Sequence, residues 1–131
     1  MDEITVLEVR DFLRYSNDGK LDLALCYKLF DVLLEERDTF CSQVLIDCRG
    51  VHKSTSYQDL YEVMSYAGQY EVYHTYCLAL LGRLFEGFEF SQFAEFVGQL
   101  KGLCVRAFLD EEKARTWLMN TTANEGECVE P

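Results

Sequence analysis

The chain concentrates its candidate anion-binding groups in one polar segment, residues 47–56. A helix is expected to begin at the end of this segment, and the free N–H groups at a helix start attract a phosphate or a carboxylate. The hydroxyls are also candidate phosphoacceptors, because the helix end and nearby basic groups would stabilise added negative charge. The alternative is a solvated loop in which a hydroxyl caps the helix. The candidate residues are Asp47, Arg49, His52, Lys53, Ser54, Thr55 and Ser56.

Phenylalanines form the second candidate site, between residues 84 and 97. Large aromatic side chains that are close in the sequence can line a pocket for an apolar ligand or form a contact patch for a partner. The alternative is that they complete the core over a sheet, as aromatic stripes usually do. The residues concerned are Phe85, Phe88, Phe90 and Phe93.

The sequence contains no motif for catalysis or metal binding. The two histidines, His52 and His74, are not part of a H-E-x-x-H pattern, and no G-x-S-x-G occurs. The six cysteines include no C-x-x-C pair. We therefore expect no enzyme activity, no bound metal and no cofactor, with a Cys–His pair assembled by the fold as the remaining catalytic alternative.

Length and charge narrow the classes of partner. The chain has 131 residues, which suits one domain over residues 1–120 followed by an acidic, disordered tail at 121–131. Its net charge is −11, and this acidity argues against nucleic acid and anionic membrane surfaces, which need a basic footprint. The acidity serves solubility, or it forms an acidic face for a basic partner.

The cysteines and the hydropathy suggest a reducing compartment. Cys48, Cys77 and Cys104 lie in apolar, strand-like runs, where a thiol behaves as a small hydrophobe. The acidic start is unlike a signal peptide, and no apolar run is long enough to span a membrane. We expect a cytoplasmic protein with no integral membrane association, with a redox role for Cys41 or Cys128 as an alternative.

Apolar runs alternate with helical patterns along the first half of the chain. Residues 4–15 are predicted to be extended, with a bulge or a break near Arg10, and residues 17–19 to form a turn. A helix is predicted at 20–37 from its three- and four-residue apolar spacing. The run at 44–48 predicts an interior strand, and the sequence from Arg49 to Thr55 predicts a polar loop.

The second half repeats this alternation. It predicts a helix at 56–70, a strand at 76–81, a helix capped by Ser91, a strand at 103–108 and a final helix capped by Asp110. In the final helix, Glu111 and Arg115 have the spacing of a weak ion pair. The apolar stripe predicted for the helix at 56–70 consists of Tyr57, Leu60, Tyr61, Met64 and Ala67. In the helix capped by Ser91, the apolar residues with helical spacing are Phe93, Phe96, Val97 and Leu100, and Gly102 is expected to end this helix.

The order of these elements predicts an α/β fold. It favours a single-layer, mixed but mostly parallel sheet of four to five strands, flanked by about four helices, because parallel crossovers carry helices. The opening strand is expected to be split or antiparallel.

Two stretches resemble the SpoIIAA-like family of the STAS superfamily of anti-sigma-factor antagonists. Residues 43–51 resemble the family's apolar strand that ends in Asp before a polar turn, and residues 105–118 resemble its closing strand, acidic cap and Ala-x-x-Trp-Leu helix. The resemblance covers about residues 4–120 and implies a mixed sheet flanked by helices.

The resemblance also implies a site. Phosphorylated members of the superfamily carry a switch Ser at the start of the second helix, within an Asp-Ser-x-Gly type motif. That motif is missing from residues 53–57; Ser56 is the closest positional match, followed by Ser54 and Thr55, and Asp47 matches the acidic residue before the loop. SpoIIAA-like proteins are also compared with lipid-binding Sec14-type domains.

Together these observations predict a non-enzymatic regulatory domain that binds a protein partner through residues 49–61. The alternative function is a carrier or sensor of a lipid or small apolar molecule, with a pocket near residues 84–97. Self-association as a homodimer is also expected, because edge strands and aromatic-rich helices offer contact surfaces.

Overall fold

The computed structural model describes residues 3–9, 12–20, 22–36, 43–53, 56–83 and 88–121. Its strands form one five-stranded sheet in which sequential strands are neighbours. The strands are β1 (Glu3–Val9), β2 (Phe12–Lys20), β3 (Gln43–Lys53), β4 (Cys77–Leu81) and β5 (Cys104–Phe108). The helices are α1 (Leu23–Glu36), α2 (Tyr57–Gly68), α3 (Phe88–Leu100) and α4 (Glu111–Asn120), with a short 3-10 helix at Glu71–Thr75.

The opening strands form an antiparallel hairpin. Val9 pairs with Phe12, so the connection falls at residues 10–11, where the sequence predicted a break. The turn predicted at residues 17–19 is wrong, because β2 continues through them and pairs with β3. Their turn-forming residues instead coincide with two register shifts in that pairing.

β2 to β5 are parallel, and a helix connects each consecutive pair. The side chains of α1, α2 and α3 share one hydrophobic cluster with Tyr15, Ile46 and Val105 of the sheet. α4 packs on the opposite face, where Trp117 joins a second cluster with Leu45 and Ala79. The prediction of a mostly parallel sheet flanked by four helices is therefore confirmed.

β3 extends beyond its parallel neighbour β4. Asp47 of β3 pairs with Leu81, the last residue of β4, whereas Gly50 and Lys53 pair with β2. The predicted loop at residues 49–55 is therefore wrong for residues 49–53, and residues 54 and 55 lie outside the described part of the chain. Polar composition concealed this extension, since its pairing with β2 involves backbone groups.

The ends of α3 and α4 show how local chemistry fixes the helix limits. Gly102 has φ +89° and ends α3 as predicted, with bonds from Gly102 N to Gln99 O and from Leu103 N to Gly98 O. Asp110 caps α4 as predicted, accepting from the backbone N–H of Glu112 at 3.1 Å. The start predicted for α3 is wrong, because that helix begins at Phe88 and Ser91 is buried within it.

The body of the fold includes Thr121, which the sequence assigned to the acidic tail. Thr121 is buried, and its backbone carbonyl accepts a hydrogen bond from Gln43 Nε2 at 2.9 Å. Residues 122–131 lie outside the described residues.

Candidate functional site

Two adjacent helices present large apolar side chains to solvent. On α2, Tyr57 and Tyr61 are 45% and 48% exposed, and on α3, Phe96 and Leu100 are 61% and 66% exposed. These four residues, together with the half-buried Phe93 of α3, are called the α2–α3 surface below. α2 and α3 pack against the same hydrophobic cluster on one face of the sheet, and Tyr57 of α2 contacts Phe93 of α3.

Ring contacts join the two halves of the α2–α3 surface. The Tyr57 ring stacks on Phe90 with centroids 4.8 Å apart, and it meets Phe93 edge-on at 4.9 Å. Towards the other end, Lys101 Nζ lies 3.3 Å from the Tyr61 hydroxyl and 5.0 Å from the centre of its ring. These contacts hold the aromatic side chains in place, so the surface is preorganised for an apolar contact.

Small residues explain why α3 turns its large side chains outwards. The residues of α3 that face the sheet are Ser91, Ala94, Val97 and Gly98. A Cβ atom at Gly98 would come within 2.5 Å of Val105 Cγ1 on β5, so the helix approaches the sheet more closely than a side chain there would allow. The apolar stripe predicted for α3 is therefore not its buried face: Val97 is buried, but Phe96 and Leu100 lie in solvent.

The same correction applies in part to α2. Leu60, Met64 and Ala67 are buried as predicted. Tyr57 and Tyr61 were predicted in the same apolar stripe, but they lie on the side of α2 that faces α3. Nearly half of the surface of each tyrosine remains exposed. A tyrosine in such a position can bury its ring against a neighbour while its hydroxyl stays in water.

The phenylalanines proposed from the sequence are distributed around the start of α3. Phe88, Phe90 and Phe93 are half-buried, and Phe90 and Phe93 both contact Tyr57. Phe85 lies outside the described residues.

The residues proposed for anion binding are spread over a strand and the following helix. Asp47 and Arg49 lie together on β3, and His52 and Lys53 belong to the end of the same strand. Ser56 is exposed at the start of α2, where its hydroxyl accepts a hydrogen bond from the Asp59 backbone N–H at 3.1 Å. Ser54 and Thr55 are not among the described residues.

Asp47 and Arg49 belong to a cluster of ion pairs that links three elements. Arg49 binds Asp47 through two parallel contacts, Nε to Oδ1 at 3.0 Å and Nη2 to Oδ2 at 2.9 Å. The same Nη2 atom reaches Glu111 Oε1 of α4 at 2.9 Å. Arg14 of β2 contacts Asp47 and Glu111, and Arg115 Nη2 donates to Glu111 Oε2 at 2.8 Å.

The three arginines determine how the two carboxyl groups ionise. Burial would raise the pKa of Asp47, but hydrogen bonds and charge from Arg49, with the charge of Arg14, lower it below its ordinary value. Burial would likewise raise the pKa of Glu111, and Arg115, Arg14 and Arg49 lower it. Hydrogen bonding to Asp47 raises the pKa of Arg49. The carboxyl groups of Asp47 and Glu111 are therefore ionised at neutral pH.

The ion-pair cluster fastens the start of α4 to β2 and β3. The Arg49 guanidinium group is shared between two carboxylates, and the Asp47 carboxylate also accepts the backbone N–H of Arg49 at 3.0 Å. The predicted pairing of Glu111 with Arg115 is confirmed, with Nη2 to Oε2 at 2.8 Å. The contact between Arg14 and Glu111 could not be predicted from local spacing, since the two residues are 97 positions apart.

Within the described ranges, no three His, Cys, Asp or Glu side chains are grouped so that they could hold a metal ion. No helix in the same ranges is long and apolar enough to cross a membrane.

Comparisons with known proteins bear on the fold. No protein-family model matches the chain, and no curated protein matches it. Among solved structures, the chain is similar to an uncharacterized protein of the DUF3478 family with a SpoIIAA-like fold, from Shewanella loihica PV-4. The two chains are 16% identical, the match covers 89% of this chain and 93% of the other, and the TM-score is 0.55. The chain therefore has a SpoIIAA-like fold.

Proposed function

We propose that this chain is a non-enzymatic domain that binds a protein partner through the α2–α3 surface. The observation that carries the proposal is the exposure of Tyr57, Tyr61, Phe96 and Leu100 on two adjacent helices. Single exposed apolar residues are common on soluble proteins, but a contiguous group of large ones marks a contact site.

The energy available at this surface is sufficient for specific binding. Complete burial of one large apolar side chain contributes roughly 1.5–3 kcal/mol, and aromatic residues are over-represented among those that dominate binding energies. The side chains project from helices packed on the sheet, and Tyr57 is already held by Phe90 and Phe93. Little conformational freedom would therefore be lost on association.

The geometry favours this surface over an apolar-ligand pocket near residues 84–97. A pocket would require the phenylalanine rings to surround a ligand. Instead, Phe90 and Phe93 pack against Tyr57 at the outer edge of α2 and α3, so these rings fill the space between the helices themselves.

Part of the surface predicted from the sequence is kept in this proposal. Tyr57 and Tyr61 lie in the predicted 49–61 segment, and the exposed Ser56 precedes Tyr57 directly. A phosphate on Ser56 would add about two negative charges at the edge of the α2–α3 surface, beside a helix start that stabilises them. Modification at Ser56 would thus change the affinity for an apolar partner.

Photo-crosslinking from defined positions tests the proposal. Benzoylphenylalanine is placed at Phe96 or Tyr61 of the full chain, and at Lys113 on the exposed side of α4 as the matched control. Irradiation in host cells followed by mass spectrometry should recover the same protein from positions 96 and 61, but not from position 113. If the crosslinked protein is a second copy of this chain, the partner is that copy and the surface forms a homodimer interface.

Titration with the purified partner completes the test. The double substitution Phe96→Ala and Leu100→Ala should weaken binding by about 30-fold or more, as loss of central apolar contacts does in other interfaces. Lys113→Ala should bind like the unmodified protein. If the three positions give the same crosslinked products, or the double variant binds normally, the α2–α3 surface is not the binding site.

A further inference from the structure

Two buried cysteines lie directly opposite each other on neighbouring strands. Cys77 is the first residue of β4 and Cys104 the first residue of β5, and the two are paired in the parallel register. The Cys104 Sγ–H donates to Cys77 Sγ at 3.3 Å, and the Cys77 Sγ–H donates to the Thr121 carbonyl at 3.7 Å. Both side chains point to the face that α4 covers.

We propose that Cys77 and Cys104 form a redox modification site, at which hydrogen peroxide or another small hydroperoxide produces a reversible disulfide. Neighbouring strands bring in-register Cα atoms within the separation that a disulfide spans. The sulfur atoms already touch, so a small movement of the side chains is enough to close the bond.

The chemistry is balanced by the peroxide. The Cys104 thiol loses its proton, and the thiolate attacks one peroxide oxygen; the O–O bond breaks and the released hydroxide takes up a proton to become water. Cys77 then attacks the sulfenic sulfur of Cys104, the S–S bond forms, and the departing hydroxyl leaves as a second water with the Cys77 proton. Two thiols are thereby oxidised by two electrons, and one peroxide is reduced to two waters.

Exposure sets the order of these steps. Cys104 keeps 5% of its surface exposed, whereas Cys77 keeps none, so Cys104 meets the oxidant first. A small peroxide can reach the pair when the ten-residue helix α4 opens locally, because local opening costs less free energy than unfolding the whole domain. A bulky disulfide such as oxidised glutathione would need a larger opening.

Two other cysteines provide an internal comparison. Burial, followed by the charge of Asp22, raises the pKa of Cys26 to about 12. Burial, followed by the charge of Asp47, raises the pKa of Cys48 to about 12. Cys77 and Cys104 are at least as buried as Cys26, so the direct contact between their sulfur atoms, and not a greater thiolate content, distinguishes this pair.

The disulfide would affect the half of the α2–α3 surface that α3 contributes. It closes a loop over residues 78–103, which contains all of α3. With this loop closed, β5 and α3 can no longer separate from β4 during local unfolding. Oxidation by peroxide would therefore reduce the mobility of α3, the helix that carries Phe96 and Leu100.

Peptide mapping tests the proposal on the full chain. The native protein is treated with hydrogen peroxide, the excess peroxide is removed, and the protein is unfolded in the presence of an alkylating reagent and digested with trypsin without reduction. Because trypsin cleaves after Lys53, Arg83, Lys101 and Arg106, the disulfide should join peptide 54–83 to peptide 102–106. This species should be about 2 Da lighter than the sum of the two reduced peptides and should disappear on reduction.

The same treatment in a denaturant is the control for random pairing. Unfolded chains should distribute disulfides among all six cysteines, whereas the folded protein should give mainly the 54–83 to 102–106 link. An equal distribution in both conditions, or recovery of alkylated Cys77 and Cys104 in full after peroxide, would overturn the proposal.

Substitutions separate this pair from the other thiols. Cys77→Ala should abolish the link and leave a sulfenic acid at Cys104 that dimedone traps, while Cys26→Ala should leave the link unchanged. Cys104→Ala provides the same comparison if Cys77→Ala does not fold. A link that persists in either strand variant, or that is lost in Cys26→Ala, would contradict the assignment.

Discussion

A Cβ atom at Gly98 of α3 would lie 2.5 Å from Val105 Cγ1 of β5 and 2.9 Å from Met64 Cε of α2. Real Cβ atoms essentially never approach other atoms that closely, so α3 takes its place on the sheet because position 98 has no side chain. The small residues of α3 therefore face inwards, and its large ones, Phe96 and Leu100, face the solvent. The α2–α3 surface depends on this arrangement.

Gly98→Ala should destabilise the protein by about 1–3 kcal/mol, because the added methyl group overpacks the contact with β5. Helix propensity would predict a gain of about 1 kcal/mol for the same change. The matched control is Phe96→Ala, two residues away on the solvent side, which should change the free energy of unfolding by less than about 0.5 kcal/mol. Urea unfolding measures both; a stabilised Gly98→Ala variant would refute the close approach.

The apolar strands and two of the helix ends could be predicted from the sequence because their signals are local. The apolar runs that became β3, β4 and β5 and the caps at Asp110 and Gly102 were found in this way. Which side of α3 faces the sheet could not be predicted. Its large apolar residues have ideal helical spacing, whereas a stripe of Ser, Ala and Gly does not stand out in a hydropathy pattern. Only the separation of α3 from β5 determines which of the two stripes is buried.

Only some residues of the candidate sites could be predicted from the sequence. The phenylalanines near residue 90 were singled out by their residue type, and Tyr57 lay within the predicted 49–61 segment. Phe96 and Leu100 were predicted only as members of the apolar stripe of the third helix, and both are exposed. The ion-pair cluster could not be predicted, because the pairing of β2 with β3 brings Arg14 to Asp47 and the packing of α4 brings Glu111 to both, across long stretches of sequence. The i, i+4 spacing of Glu111 and Arg115 was its one local signal.

Glu111→Gln should destabilise the protein by about 1–2 kcal/mol, since it leaves Arg14, Arg49 and Arg115 with less compensation for partly exposed positive charge. The neighbouring Glu112 is exposed, and Glu112→Gln should change the free energy of unfolding by less than about 0.5 kcal/mol. Chemical denaturation at neutral pH compares the two variants. Equal effects would mean that the cluster does not hold α4.

Acid should weaken the fold through the same cluster. The folded-state pKa values of Asp47 and Glu111 are lower than their ordinary values of 3.8 and 4.5. Their contribution to stability is therefore complete above about pH 5 and is lost as the pH falls through the lowered values. Between pH 6 and pH 3, the double variant Asp47→Asn and Glu111→Gln should lose less unfolding free energy than the unmodified protein. Parallel pH dependences would contradict the cluster's ionisation.

Ser56→Ala should cost about 1 kcal/mol, because the Ser56 hydroxyl accepts the hydrogen bond from the Asp59 backbone N–H that begins α2. Ser56→Asp should retain the stability, since a carboxylate also caps a helix start and favours its positive end. Thermal unfolding distinguishes the two variants. An unchanged melting temperature in Ser56→Ala would show that the cap is unimportant.

The outer edge of β5 is closed by α3 side chains. Glu95 accepts a hydrogen bond from the backbone N–H of Ala107, and Gln99 Nε2 donates to the backbone carbonyl of Val105 at 2.9 Å. The double variant Glu95→Ala and Gln99→Ala should expose this edge and increase concentration-dependent self-association, because an unpaired strand edge recruits another chain. Sedimentation velocity compares it with Gln92→Ala, which should behave as the unmodified protein. An unchanged sedimentation profile would rule out the protective role.

The orientation of α3 can be measured by thiol labelling at neighbouring positions. Tryptic peptide 84–101 contains no native cysteine, so a cysteine introduced at Phe96, Val97 or Leu100 can be followed there without interference. In the folded protein, Phe96→Cys and Leu100→Cys should react with a maleimide nearly as fast as in the unfolded chain, and Val97→Cys should react at least about 100-fold more slowly, because its opening is limited by the stability of the core. Fast labelling at position 97 with protection at 96 and 100 would contradict the outward-facing apolar surface on which the proposed function rests.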